Sequence, residues 1–152
     1  MELHWHDRRF GELSTVQLYA ILALRERVFV VEQATAYQDA DGLDLAARHL
    51  WAQRGVPGAP DTPGSIDAYL RILPAGAKFD EVALGRIAVA PEARGTGLGR
   101  VLVRKGLAAV GEVPVRIGAQ VYLEKFYGEF GFRRAGEPYL EDGIPHIDML
   151  RA

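Results

Sequence analysis

The chain has 152 residues, 49% of them hydrophobic and 25% charged, with a formal net charge of −2 and no cysteine. A chain of this length folds as one domain, residues 1–152, burying roughly two-thirds of its surface without staples, and the lack of cysteine excludes disulfides, thiolate metal sites and a cysteine nucleophile. The near-balanced charge gives no general pull toward nucleic acid or anionic membrane, no apolar run could span a bilayer, and the opening "MELHWHDRRF" lacks the apolar segment of a signal peptide, which points to the cytoplasm.

In chain order, "ELHW" alternates Leu3 and Trp5 against Glu2 and His4, the pattern of a half-buried strand. His4 and His6 alternate on that strand, but no further ligand cluster accompanies them, so no metal is expected. A helix follows, announced by Ser14 with Gln17 three residues on as a capping box and by Leu13, placed to staple onto Leu18. Its apolar positions Leu18, Ile21, Leu22 and Phe29 recur at helical spacing to about Val30. Beyond the irregular acidic stretch "YQDADGLD" come two strands, "RHLWAQ" and "IDAYLRIL", separated by a Pro- and Gly-dense loop, "RGVPGAPDTPG". Val82 to Val89 reads as a buried strand ended by Pro91, and Leu98, Val101, Leu102 and Ala109 mark one face of the next helix. "VPVRIG" is a further strand, and Gln120 to Phe130 a helix closed by Gly131 at C′. Two last strands lie around a turn in "FRRAGEPYLEDGIPHIDML". The order of elements implies an α/β (α+β) domain with a mixed central sheet of about seven strands and helices on both faces.

Between the fourth strand and its helix stand Gly95, Gly97 and Gly99. Successive N–H groups in a tight turn that opens a helix form an anion nest, and the missing Cβ atoms let phosphate oxygens reach the main chain. A ligand-free tight turn is the simpler reading of glycine alone. The spacing excludes two nucleotide-binding classes: the third glycine of a dinucleotide fingerprint would fall on Arg100 or Leu102, and no Gly-Lys-Ser/Thr triplet exists for a P-loop.

Arg94-x-x-Gly97-x-Gly99 resembles the acyl-CoA pyrophosphate loop of the GNAT superfamily of N-acetyltransferases, in which the loop joins the fourth strand to the following helix. Gln120, Tyr127, Gly131 and Phe132 stand at spacings where that family often has Asn, Tyr and Gly-Phe, with Gln in place of Asn. "RERVFVVEQ", "DADGLD", "HLWA" and "YLEDGIPHIDM" further resemble the ElaA-like branch. Two departures stand out. The family usually has two helices between its first and second strands, where only a short second one near "LDLAAR" can be found, and "VALGRIAV" carries Arg86 where a catalytic carboxylate is often placed.

The resemblance implies direct acetyl transfer from acetyl-CoA to a primary amine of a small molecule or peptide, with no metal, no nucleic acid and no membrane, and it allows a homodimer. It implies that the main chain of Ile87, Ala88 and Val89 pairs with the pantetheine arm. Arg94, Gly95, Thr96, Gly97, Leu98 and Gly99 would hold the pyrophosphate, Gln120 would flank the cofactor, and Tyr127 would protonate the sulfur. A phenol of reference pKa about 10 still carries its proton at neutral pH. Tyr127 lies one residue off the aromatic stripe Tyr122, Phe126 and Phe130, whose spacing marks core packing. The general base is unassigned, with Glu32, His49, Glu141 and His146 as candidates. Two other readings stay open. Arg25, Phe29, Asp39, Asp41, Asp44 and Arg71 resemble the pattern of acyl-homoserine-lactone synthases, and a CoA-binding sensor without turnover would use the same loop. Asp39, Asp41, Asp44 and Glu32 could also attract a cationic amine.

Overall fold

The computed structural model describes residues 3–55 and 65–152. The Pro- and Gly-rich loop expected between the second and third strands falls largely outside them, as does Glu2. Eight strands are described: β1 (Leu3–Arg9), β2 (Arg48–Arg54), β3 (Ile66–Leu73), β4 (Val82–Val89), β5 (Val115–Gln120), β6 (Arg133–Arg134), β7 (Tyr139–Glu141) and β8 (Ile144–Arg151). They form one sheet in the order β1-β2-β3-β4-β5-β8-β6, with β7 also paired to β8, and only the β4–β5 contact is parallel. The two-residue β6 is too short to leave a periodic signature.

Helix α1 (Thr15–Arg25) starts at the expected capping box: Ser14 Oγ accepts from the Gln17 N–H at 3.0 Å, and the Gln17 side chain accepts from the Ser14 N–H at 2.9 Å. Past Arg25 the helix widens into a π-helix over Glu26–Glu32, a rare form that gathers at functional sites. Ala20, Ile21, Leu24 and Val28 pack on Trp51, Tyr69 and Ala88, covering one face of the sheet. On the opposite face, α2 (Leu98–Val110) buries Leu98, Leu102 and Val103 against Leu70, Leu84 and Val115. Gly106 lets α2 approach closely, since a Cβ there would lie 2.8 Å from Leu70 Cδ2. The second helix sought near "LDLAAR" is one 3-10 turn, Leu43–Ala46.

The helix expected over Gln120 to Phe130 is shorter, a 3-10 turn at Val121–Leu123 leading into α3 (Glu124–Gly128). Its stop is as expected: Gly131 has φ +91°, its N–H reaches Gly128 O, and the Phe132 N–H reaches Tyr127 O at 3.4 Å, a Schellman pattern. Phe126 meets Phe130 edge-on at 5.4 Å between ring centres, but Tyr122 is 75% exposed and leaves the stripe. Among the described residues no helix is long and apolar enough to cross a membrane.

Candidate active site

The two parallel strands barely touch. β4 and β5 pair only at Val82 with Val115 and Ala83 with Arg116, after which they part. Gly85, Arg86 and Ile87 line one side of the resulting cleft and Gly118, Ala119 and Gln120 the other, around a volume of about 540 Å³. On its far side β4 stays bonded to β3, with Ala88 opposite Tyr69 and Val89 opposite Ala68, so the β4 edge facing β5 is left without a strand partner here. Exposed strand edges of this kind accept an extended chain by main-chain hydrogen bonds. A bulge contributes to the parting: three steps of β4, from Gly85 to Ala88, span what two steps of β3 span from Arg71 to Tyr69, and Arg86 takes a φ of +50°. A side-chain-bearing residue in that region is strained, and such strain gathers at functional sites.

The glycine turn stands between β4 and α2. Gly95 and Gly97 have φ values of +79° and +82°, and Gly97 is the N-cap of α2. A Cβ built on either would find no atom within 4 Å, so both face open space, whereas one on Gly99 would touch Val89 and Phe126. The first N–H groups of α2, at Leu98, Gly99 and Arg100, have no carbonyl ahead of them in the helix and carry its positive pole. Thr96 Oγ1 donates to Ala93 O at 2.8 Å and braces the turn. The set fits a pyrophosphate. The Arg94 guanidinium donates to Val89 O at 3.1 Å and forms a two-pronged pair with Glu32, at 2.6 and 2.7 Å.

Tyr127, on α3, lies at the cleft and is 6% exposed. Burial pushes its phenol above the usual tyrosine range, which keeps the O–H protonated. The four base candidates separate by position. Glu32 is spoken for by Arg94, whose guanidinium holds its carboxyl below the usual range, and it does not line the cleft. His49 is fully buried and does not line the cleft, with Nδ1 2.7 Å from Tyr69 Oη and Nε2 3.0 Å from Asp44 O, and burial depresses its pKa. Glu141 and His146 remain, both at the cleft and joined across the β7–β8 hairpin at 3.5 Å. His146 Nδ1 lies 2.7 Å from Ile144 O, so it must carry the hydrogen, which leaves Nε2 as the basic atom in the neutral ring. The Tyr139 ring stacks on His146 and fixes its plane.

The acidic stretch does not offer free carboxylates. Asp44 accepts from Arg25 at 2.7 Å and Arg71 at 3.0 Å, Asp41 from Arg71 at 2.7 and 2.8 Å, and Asp39 from Arg25 at 2.8 Å and Tyr37 at 2.6 Å. Arg86 joins them, its Nε 2.8 Å from Asp39 and Nη2 3.2 Å from Asp41. Three guanidinium groups thus match three carboxylates between α1 and the sheet, which corrects the expectation that these acids and Glu32 draw a cation. The charged residues of the lactone-synthase pattern do come together, but as this ion network, while Phe29 lines the cleft. Lys78, Asp142 and Gln38 also line the cleft, and nothing in their local sequence marks them. Among the described residues no group of three or more His, Asp or Glu could hold a metal.

Known proteins share this arrangement to different depths. A crystal structure of an acyl-CoA N-acyltransferase from Pseudomonas aeruginosa superposes with a TM-score of 0.90 at 41% identity, over 99% of this chain and all of that one. ElaA of Escherichia coli is 41% identical over 98% of this chain and 96% of its own, and its crystal structure superposes with a TM-score of 0.87. The AHL synthase LasI, at 17% identity and a TM-score of 0.68, shares the fold alone. The profile of the acetyltransferase (GNAT) domain matches residues 71–151, a span that holds the bulged β4, the glycine turn and Tyr127. Since likeness in sequence and in fold agree along nearly the whole chain, it belongs to the GNAT acetyltransferase family, in the ElaA-like branch, and is built as an acyltransferase.

Proposed function

We propose that this protein transfers an acetyl group from acetyl-CoA directly to a primary amine. The observation that carries the reading is the parting of β4 from β5 beside the glycine turn, with Tyr127 at the same cleft as His146. Residues 94 to 99 hold the pyrophosphate through main-chain N–H groups, the free edge of β4 at Ile87 to Val89 binds the amide-bearing arm, and Gln120 borders it. Acetyl-CoA, when bound, supplies the acyl group as an activated thioester. No cysteine stands ready for a covalent relay, so the amine attacks directly: its C–N bond forms and the C–S bond breaks.

His146 Nε2 accepts the amine proton, directly or through one water, and Glu141 stabilises the imidazolium that results. Tyr127 donates its hydrogen to the departing sulfur. Burial that raises the phenol also disfavours a bare thiolate in the same surroundings, so the transfer is better matched than the reference values suggest.

Thermal unfolding with acetyl-CoA, ATP or NADH, followed by an assay of thiol release against amines, tests the reading. A ligand that binds only the folded state at about a hundred times its dissociation constant stabilises by about 2.7 kcal/mol. Stabilisation by acetyl-CoA alone, with thiol release, is expected; no stabilisation refutes the loop assignment. Stabilisation without release from any amine would mark a CoA sensor. Tyr127→Phe should lower kcat at least tenfold while leaving acetyl-CoA affinity unchanged, and an unchanged kcat would return Tyr127 to the core.

A further inference from the structure

The cleft has two poles of opposite charge. On the wall formed by β4 and the chain before it, Arg86 donates through Nη2 to Asp39 O and Asp41 and has Nε in ion-pair contact with Asp39, while neither Nε nor Nη1 makes a hydrogen bond among the described residues. Arg86 is held there by the strained bulge and by the Tyr37 ring, 5.6 Å from its Cζ. Arg71, which is 1% exposed, stands opposite Gly85 and has a buried Nε with no hydrogen-bond partner among the described residues. Lys78 stands at the same cleft with no carboxylate in ion-pair contact among the described residues; its Nζ lies 5.4 Å from the Phe79 ring centre. Since Arg25, Arg71 and Arg86 balance Asp39, Asp41 and Asp44, Lys78 leaves this wall net positive.

The opposite wall is negative. Glu141 and Asp142 lie at the turn of the β7–β8 hairpin, beside His146, and Asp142 forms no ion pair among the described residues. An amine held near Glu141 and His146 therefore faces, across the cleft, a guanidinium edge with an unused N–H and a free ammonium group. A bare diamine would set its second charge against that positive wall, and like charges brought together in a cleft repel. A carboxylate would instead accept from Arg86 Nη1, in a charge-assisted bond of the stronger kind.

We infer that the acceptor is a small amine that also bears a carboxylate, a free amino acid, bound with its amine at Glu141 and His146 and its carboxylate at Arg86 and Lys78. This rests on the acetyltransferase reading above. It places the acidic pole of the site on the hairpin and not on the aspartates of the loop after α1.

The experiment is thiol release from acetyl-CoA by the full chain with the twenty free amino acids, the carboxamide of each, and unsubstituted alkyl diamines, with acetyl-CoA stabilisation read on the same protein. At least one amino acid is expected to exceed its own carboxamide, and every diamine, by tenfold or more in kcat/KM. Lys78→Met, a change at an exposed side chain, should shrink that ratio severalfold through KM of the amino acid, leaving KM for acetyl-CoA unchanged. Carboxamides or diamines that match or beat the amino acids overturn the inference, as does the absence of turnover with every amino acid while acetyl-CoA still stabilises the fold. Failure of acetyl-CoA to stabilise overturns the underlying reading of the site instead.

Discussion

Asp44→Asn probes the ion network at its most shared point. Asp44 accepts from Arg25 and from Arg71, whose side chains are 0% and 1% exposed, and it is itself nearly buried. Asparagine keeps the volume but removes one of three negative charges, so one guanidinium charge is left uncompensated beneath α1. Breaking a buried pair in this way costs about 3–5 kcal/mol. For a chain of about this size each kcal/mol moves Tm by about 2–4 °C, so the melting midpoint at pH 7 should fall by about 6–20 °C. Calorimetry measures it, with Glu92→Gln as control: Glu92 pairs with Arg27 at 2.7 Å where both side chains are about half exposed, and its loss should leave Tm nearly unchanged. The pH dependence is a second readout. Both Asp41 and Asp44 titrate below the usual carboxylate range because of their arginine partners, despite burial that works the other way. Their contribution is therefore complete above the unfolded value of about 3.9 and is lost as pH falls through the lower folded values. The gap between wild type and variant should begin to close below about pH 4 and narrow further as pH falls. A Tm loss no larger than that of the control, or a gap that persists in acid, would refute the account of this network.

Three further outcomes follow from single residues. Gly97→Val should weaken acetyl-CoA binding at least tenfold in a direct titration, because the branched side chain fills the open space of the nest, and equal affinity would sink the nest assignment. Gly106→Ala should destabilise by up to about 2 kcal/mol, an overpacking cost of about 1–3 kcal/mol against Leu70 and Leu84 less about 1 kcal/mol of helix propensity, whereas Gly128→Ala, with nothing within 4 Å, should stabilise. Urea unfolding of the pair checks this, and a shared sign would contradict it. His49 is buried in its neutral form, so its folded pKa lies below the unfolded value of about 6.5 and stability should decline as pH drops below that, by up to about 1.4 kcal/mol per unit. In His49→Gln that part of the slope should vanish.

What was legible in the sequence was mostly local. The capping box at Ser14, the stop at Gly131 and the glycine turn each use residues within five positions of one another, so their spacing alone carries the geometry. The bulge at Arg86 had only Gly85, a lone glycine inside the strand, as a local signal, and where the register shifts depends on the pairing with β3. The acidic stretch was visible, but its partners were not: Arg25 lies 19 residues from Asp44, and Arg71 lies 30 from Asp41. The same limit explains the unassigned base. His49 and His146 both sit in strands, and only the sheet order, which sets β8 beside β5, brings His146 to the cleft while β2 buries His49 under α1.

The π-helix, the ion network and the strained Arg86 belong to one arrangement. A buried set of three arginines and three aspartates is not the most stable filling for that space, because desolvation costs about as much as the charges recover. Apolar residues could fill it equally well, but they could not hold a guanidinium at the mouth of a bulge. Asp39 and Asp41 do so, and they are anchored in turn by Arg25 and Arg71. Widening of the helix after Arg25 comes at the point where its side chain enters this network, and it carries Phe29 to the cleft wall. The bulge adds a residue to β4, where that strand leaves β5, and the cleft opens there. Stability given up at Arg86 and in the network is thus coupled to the opening between β4 and β5, where the proposed acyl transfer would take place.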